Sequence, residues 1–205
     1  LECFVGDPLI NLTVMTLILV AGLGFPVWQD LAQNRLCWKK LRLHTRAVLA
    51  LTAFLVLVPA ALFFITERNA TMAGMTTGTR VWASLFSAVT PRTAGFDTVP
   101  TGELSPAGGM LTLLLMLTGG NSGSTAGGVK TVTVGVILLA AWSTARGRTS
   151  VHVMKRRIPR QAVENASALF ILVLLLSGLG AAFLSIADHV SLENALYETI
   201  SALCT

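Results

Sequence analysis

The sequence predicts an all-α integral membrane fold of repeated units, each a long helix, a short pore helix, a turn and a further helix. Three observations lead there. Hydrophobic residues make up 53% of the chain and charged residues only 12%, against about 25% charged in an average soluble domain, and mean hydropathy is +0.71. Uncharged runs long enough to cross a bilayer alternate with short basic clusters. Between two such runs a short amphipathic segment, Thr79 to Thr90, stops at Pro91 and gives way to Thr93-Ala94-Gly95-Phe96. A short helix followed by an extended turn, inside apolar surroundings, lines an aqueous path with main-chain carbonyl oxygens.

Charge placement excludes other classes. A net charge of +5 would suit nucleic acid only on a richly charged soluble surface, and here the charges are few and clustered, so no nucleic-acid partner is expected. Cys3, Cys37 and Cys204 have no paired spacing, which supports neither a disulfide framework nor a zinc site.

Pro8 to Gln29 is a 22-residue uncharged run, read as one span with Trp28 as an interfacial anchor. Asp30, Arg35, Lys39, Lys40, Arg42 and Arg46 follow as a basic loop, closing a first region over residues 1–46. A second span, Ala47 to Thr66, contains Pro59, which kinks a membrane helix without abolishing it. Glu67 to Gly78 reads as a polar connection. Thr79 to Thr90, at about 18 Å of helix, is too short to cross and is read as re-entrant. Ser105-Pro106 then has the form of an N-cap with proline in the first turn. It opens a run, Leu104 to Ala145, whose one charge is Lys130.

Whether that run crosses once or twice follows from charge. Arg146, Arg148, Lys155, Arg156, Arg157 and Arg160 form a second basic cluster, and the two clusters hold 11 of the 15 Lys and Arg residues. The positive-inside rule places both in the cytoplasm. With the second span running outward and the re-entrant segment returning outside, one broken crossing connects Ser105 to Arg146. Residues 47–145 thus form one repeat and 146–165 a basic cytoplasmic linker. Residues 166–205 start another, with the span Ala166 to Ala187 and a second short segment, Ser191 to Cys204, in which Leu196-Tyr197 echoes Leu85-Phe86. The expected chain is an internal fragment of a larger repeated membrane protein.

Val89-Thr90-Pro91-Arg92-Thr93-Ala94-Gly95-Phe96, followed by Gly119-Gly120-Asn121-Ser122-Gly123-Ser124-Thr125-Ala126-Gly127-Gly128-Val129-Lys130-Thr131, resembles the third repeat of the Trk/Ktr/HKT potassium transporters, most of all the Ktr membrane subunit. Ala21 to Trp28 resembles the helix that ends the second repeat, and Leu196 to Thr205 the fourth pore helix entering its filter. The resemblance implies four non-identical repeats around one pore in a multi-pass protein of the bacterial cytoplasmic membrane. Each repeat supplies one filter segment around a glycine. Thr93, Ala94, Gly95 and Phe96 are the third segment, and Thr205 is the start of the fourth. Carbonyls of Thr93, Ala94 and Gly95 would replace the hydration shell of K⁺, with Na⁺ left open and no organic cofactor. The resemblance also implies a homodimer resting on a cytosolic ring of nucleotide-binding regulatory subunits.

Gly119, Gly120, Gly123, Gly127 and Gly128 cannot sustain a stable helix, each costing about 1 kcal/mol relative to alanine. Non-helical backbone at membrane depth must be buried or line a wet cavity, so the stretch is expected beneath the filter as an obstruction that moves aside. Its gating residues are Gly119 to Gly128 and Lys130. Lys130 repels cations, tethers the loop to a carboxylate, or snorkels toward the cytoplasm. Arg92 either braces the filter turn with its fork of donors or reaches external water. Asp97 and Glu103 stand near the mouth, where carboxylates concentrate cations. His44, His152 and His189 lie near span ends or in basic loops, with nothing to make them ligands.

Three rival readings remain open. Gly120-Asn121-Ser122-Gly123 matches the GxSG of intramembrane serine proteases, but no histidine base lies mid-span. Gly123 to Thr131 is near the phosphate-loop pattern GxxxxGK[ST], but Val129 breaks the spacing. A pore homologue that does not conduct is the third.

Overall fold

The computed structural model describes residues 1–35, 37–147, 151–153 and 156–204. Among the described residues eight α-helices carry the fold: α1 Pro8–Leu23, α2 Phe25–Gln33, α3 Leu43–Thr66, α4 Thr77–Val89, α5 Pro106–Leu117, α6 Thr131–Ala145, α7 Arg160–Ala187 and α8 Leu192–Cys204. A two-residue antiparallel ribbon, β1 His152–Val153 with β2 Arg156–Arg157, lies in the basic linker. Arg148, Lys155 and Thr205 lie outside the described residues.

Length and composition sort the helices. Among the described residues two helical stretches, Leu43–Asn69 and Arg160–Ala187, are long and apolar enough to cross a membrane, with mean hydropathies of 2.7 and 2.6. Helix α3 runs unbroken through Pro59. Helices α4 and α8 have 13 residues each, about 20 Å, well short of the roughly 30 Å hydrocarbon core. Helix α4 packs on α3 and α8 on α7. Long helix plus short helix therefore occurs twice.

The first span is not the single helix expected. It breaks at Gly24, and α1 and α2 meet there at 92°. Gly24 has φ +88° and Pro26 stands in the first turn of α2, so neither helix continues through the junction. Trp28 Nε1 donates to the Val20 carbonyl at 2.9 Å, satisfying an acceptor at the end of α1. The indole that the sequence suggested as an interfacial anchor thus braces an elbow.

Helix starts follow their caps. The Thr76 side chain accepts from Thr79 N at the head of α4, and that of Ser105 from Gly108 N at the head of α5. The 42-residue apolar run resolves into α5 and α6, of 12 and 15 residues, separated by the glycine-rich segment. Small apolar clusters tie these elements together. Met15, Phe86 and Val89 join α1 to α4, while Ala60, Phe63, Ala88 and Leu115 join α3, α4 and α5. Met116, Ile200 and Cys204 join α5 to α8.

One connection carries more than its sequence suggested. Glu67, in the stretch read as a polar connection, is fully buried at the end of α3. Its carboxylate accepts from Thr71 Oγ1 at 2.9 Å, from Ser105 N at 3.3 Å and from Ser105 Oγ. It therefore caps α5 from the end of α3 and fixes these two helices to one another.

Candidate functional site: a left-handed turn above a packed glycine loop

Helix α4 ends at Thr90, and the chain turns at once. Arg92 N donates to the Val89 carbonyl and Ala94 N to that of Thr90, at 3.2 and 3.3 Å, and Thr90 Oγ1 bonds the Phe96 carbonyl. Thr93 and Gly95 both lie in the left-handed region, at φ +65° and +71°. Glycine adopts that conformation freely, whereas a β-branched residue there is an outlier held by its surroundings. Gly95 faces open space, with nothing within 4 Å of where a Cβ would stand. It lines a cavity with Thr90, Asp97, Thr101, Tyr197 and Ser201, between the turn and α8.

The glycine-rich segment is tightly bound. Its base is closed by a parallel bridge between Thr118 and Val129, with Gly119 N donating to the Val129 carbonyl at 3.0 Å and Val129 N to that of Leu117 at 3.2 Å. Thr131 donates from N to the Gly120 carbonyl at 3.0 Å and from Oγ1 to that of Gly119 at 2.7 Å. Its tip is fastened to the α1–α2 elbow. Asn121 donates from both N and Nδ2 to the Gly22 carbonyl at 3.0 Å, and Phe25 N donates to Gly123 at 3.0 Å. Sequence reasoning assigned the glycines to helix breaking. The contacts give a stronger reason, because a Cβ at Gly119 would stand 1.8 Å from the Gly127 carbonyl oxygen.

Turn and loop meet directly. Gly127 N donates to Thr93 Oγ1 at 3.1 Å, and Gly128 lies against the Cys204 carbonyl at the end of α8. Lys130 Nζ donates to the Ala126 carbonyl at 2.7 Å, so this ammonium closes its own loop. Arg92 is 7% exposed and lines a cavity with Ile18, Gly22, Thr93 and Ala126. Its Nε and Nη2 are buried without partners among the described residues, so the bracing expected from the sequence does not come from those atoms. Thr205, expected to begin the fourth filter segment, lies outside the described residues.

One rival reading, the phosphate loop, loses its footing here. Loop amides of Gly119, Asn121, Ser124, Gly127 and Val129 are spent on internal acceptors and on Thr93, so they form no free cradle for a phosphate. Among the described residues no group of three or more His, Cys, Asp or Glu side chains converges on a metal site.

The family model "TrkH: Cation transport protein" matches residues 1–205. The chain belongs to the TrkH family of cation transport proteins. TrkH-family relatives include the potassium/sodium uptake protein NtpJ of Enterococcus hirae, 38% identical over 200 residues, covering 95% of this chain and 44% of that protein. The Ktr system potassium uptake protein B of Bacillus subtilis is 35% identical over 207 residues, covering 100% and 46%. That of Vibrio alginolyticus is 33% identical over 208 residues, covering 98% and 45%. The chain thus spans less than half the length of these relatives. The crystal structure of the potassium transporter TrkH from Vibrio parahaemolyticus shares the fold, with TM-score 0.77 at 19% identity over 95% of this chain and 43% of that one. This is a family of transporters, not enzymes, and the protease reading of Ser122 has no support.

Proposed function

We propose that this chain forms part of a pore for potassium uptake through the bacterial cytoplasmic membrane, passive and driven by the membrane potential. The observation that carries the reading is the turn at the end of α4, where left-handed Gly95 borders one open cavity and left-handed Thr93 another, with Thr93 bonded to the glycine loop. The names of relatives that take up potassium, or potassium and sodium, support the same cargo. Carbonyls of Thr93, Ala94 and Gly95 replace water around the ion, and the carbonyl end of α4 adds negative potential at the turn. Phe96 and Thr205 complete the filter positions in this chain.

In this reading α5 and α6 are the halves of one broken crossing, since each alone is about 18 to 22 Å long. The intervening loop, Gly119 to Gly128 with Lys130, closes the path below the filter. Arg92 supports the filter from the wall of the adjoining cavity. The exposed apolar faces of α3 and α7 meet lipid or the rest of the protein. The full-length subunit works as a homodimer on a ring of cytosolic nucleotide-binding regulators, which the basic segments contact. A Gly95→Ser variant of the full-length protein, reconstituted in liposomes, should lose discrimination between K⁺ and Na⁺. Unchanged selectivity would remove Gly95 from the filter.

A further inference from the structure

Thr93 is held in a conformation it would not choose. The left-handed region costs a non-glycine residue roughly 1 to 2 kcal/mol, and such a residue persists only where its surroundings over-determine it. Bonds from Thr90 to Ala94 and Phe96 bracket it within the turn, and one contact reaches its side chain from outside, the Gly127 amide on its hydroxyl at 3.1 Å. That amide is presented by a stiff mount. The bridge between Thr118 and Val129 closes the base of the loop, and Lys130 Nζ takes the carbonyl of neighbouring Ala126. Gly128, the next residue, rests on the Cys204 carbonyl, so the same loop edge touches the ends of both short helices.

We propose that Thr93 is a positioning residue for the loop as well as part of the filter. Its hydroxyl latches the loop in its blocking place, and the loop in turn holds Thr93 in the left-handed conformation. This rests on the filter and gate assignments above. Withdrawal of the loop removes the amide and lets Thr93 relax, which reorients the peptide carbonyls of the turn. By linkage, any ion that prefers the held form of the turn also favours the seated loop, by the same factor. A K⁺ ion coordinated by those carbonyls favours it, and Na⁺, which fits them less well, does not. The ion species in the filter is therefore reported at the loop.

The test uses the full-length protein with its cysteines replaced and a single cysteine at Thr125, an exposed loop residue. Labelling of T125C by a water-soluble maleimide should be at least about fivefold slower in K⁺ than in Na⁺. Thr93→Val, which keeps the shape and removes the hydroxyl, should erase that difference and raise basal K⁺ flux about fivefold, the worth of one net hydrogen bond. Thr93→Ser, which keeps the hydroxyl, should preserve the labelling difference. An ion-dependent labelling difference that survives in T93V, or a T93S that behaves as T93V does, overturns the latch. If T93V does not assemble, Gly127→Pro removes the donor from the other side and must give the same two results. If T93V leaves labelling and flux unchanged while G95S destroys selectivity, the latch fails and the filter stands. An inert G95S counts against the filter itself.

Discussion

At Gly95 a methyl group would meet nothing within 4 Å, whereas at Gly119 it would stand 1.8 Å from a carbonyl oxygen of its own loop. The two glycines serve opposite needs. Gly95 supplies a left-handed backbone beside open space, so its value lies in where it lets carbonyls point. Gly119 supplies the absence of a side chain where two strands of a loop press together, so its value lies in packing. In the proposed reading the first is a filter, which must leave room for an ion, and the second an obstruction, which must leave none. Substitutions in the two regions should therefore register in different measurements.

The largest expected effect is at the crowded site. Gly119→Ala should lower the stability of the purified full-length protein by about 3 kcal/mol, the upper range for overpacking against atoms that cannot yield, read as a lower apparent Tm. Gly95→Ala should cost only about 1 kcal/mol, the left-handed penalty alone, while K⁺ over Na⁺ selectivity collapses. Equal losses of stability at the two positions would dissolve the contrast. Deleting Asn121 to Ala126 should raise basal K⁺ flux through liposomes about tenfold, because several hydrogen bonds of roughly 1 kcal/mol each seat the loop. A silent deletion would mean that the loop obstructs nothing. Glu67→Ala sharpens the comparison from outside both regions. It strips buried bonds from Ser105 and Thr71 and should cost about 2 kcal/mol of stability with selectivity intact.

The smallest effect concerns the mouth. Burial raises the Asp97 carboxyl above the ordinary aspartate range, so it takes up a proton at a higher pH than a free aspartate would. Acidifying the outside should therefore neutralise it early and reduce uptake at low K⁺ by about twofold. Asp97→Asn should start at the lower rate and remain flat over the same pH interval.

What could be read from the residues alone depended on whether the cause was local. The end of the short helix α4 and its turn were legible because a proline and a glycine act on their own neighbours at Pro91 and Gly95, whereas its start at Thr77, capped by Thr76, was read two residues late, inside the polar connection. The second long and short helix pair was legible from its echo of the first. The elbow at Gly24 was hidden by hydropathy, which treats Gly24-Phe25-Pro26 as three more uncharged residues and ignores the break that glycine and proline impose together. Glu67 was passed over because its partner Ser105 lies 38 residues away. The loop's composition announced non-helical backbone, but the attachments to Gly22, Phe25 and Thr93 are tertiary, and no spacing rule reveals them.

Helix α2 has nine residues, pivots on Gly24, and is clamped near its far end where buried Asp30 accepts the Arg42 amide at 2.9 Å and the Asn34 side chain at 2.8 Å. Its near end carries Phe25, whose amide grips the loop at Gly123. The arrangement joins the basic segment to the glycine loop through one short helix. In the proposed reading, a displacement at the Arg42 end reaches the obstructing loop at Gly123 through that helix alone.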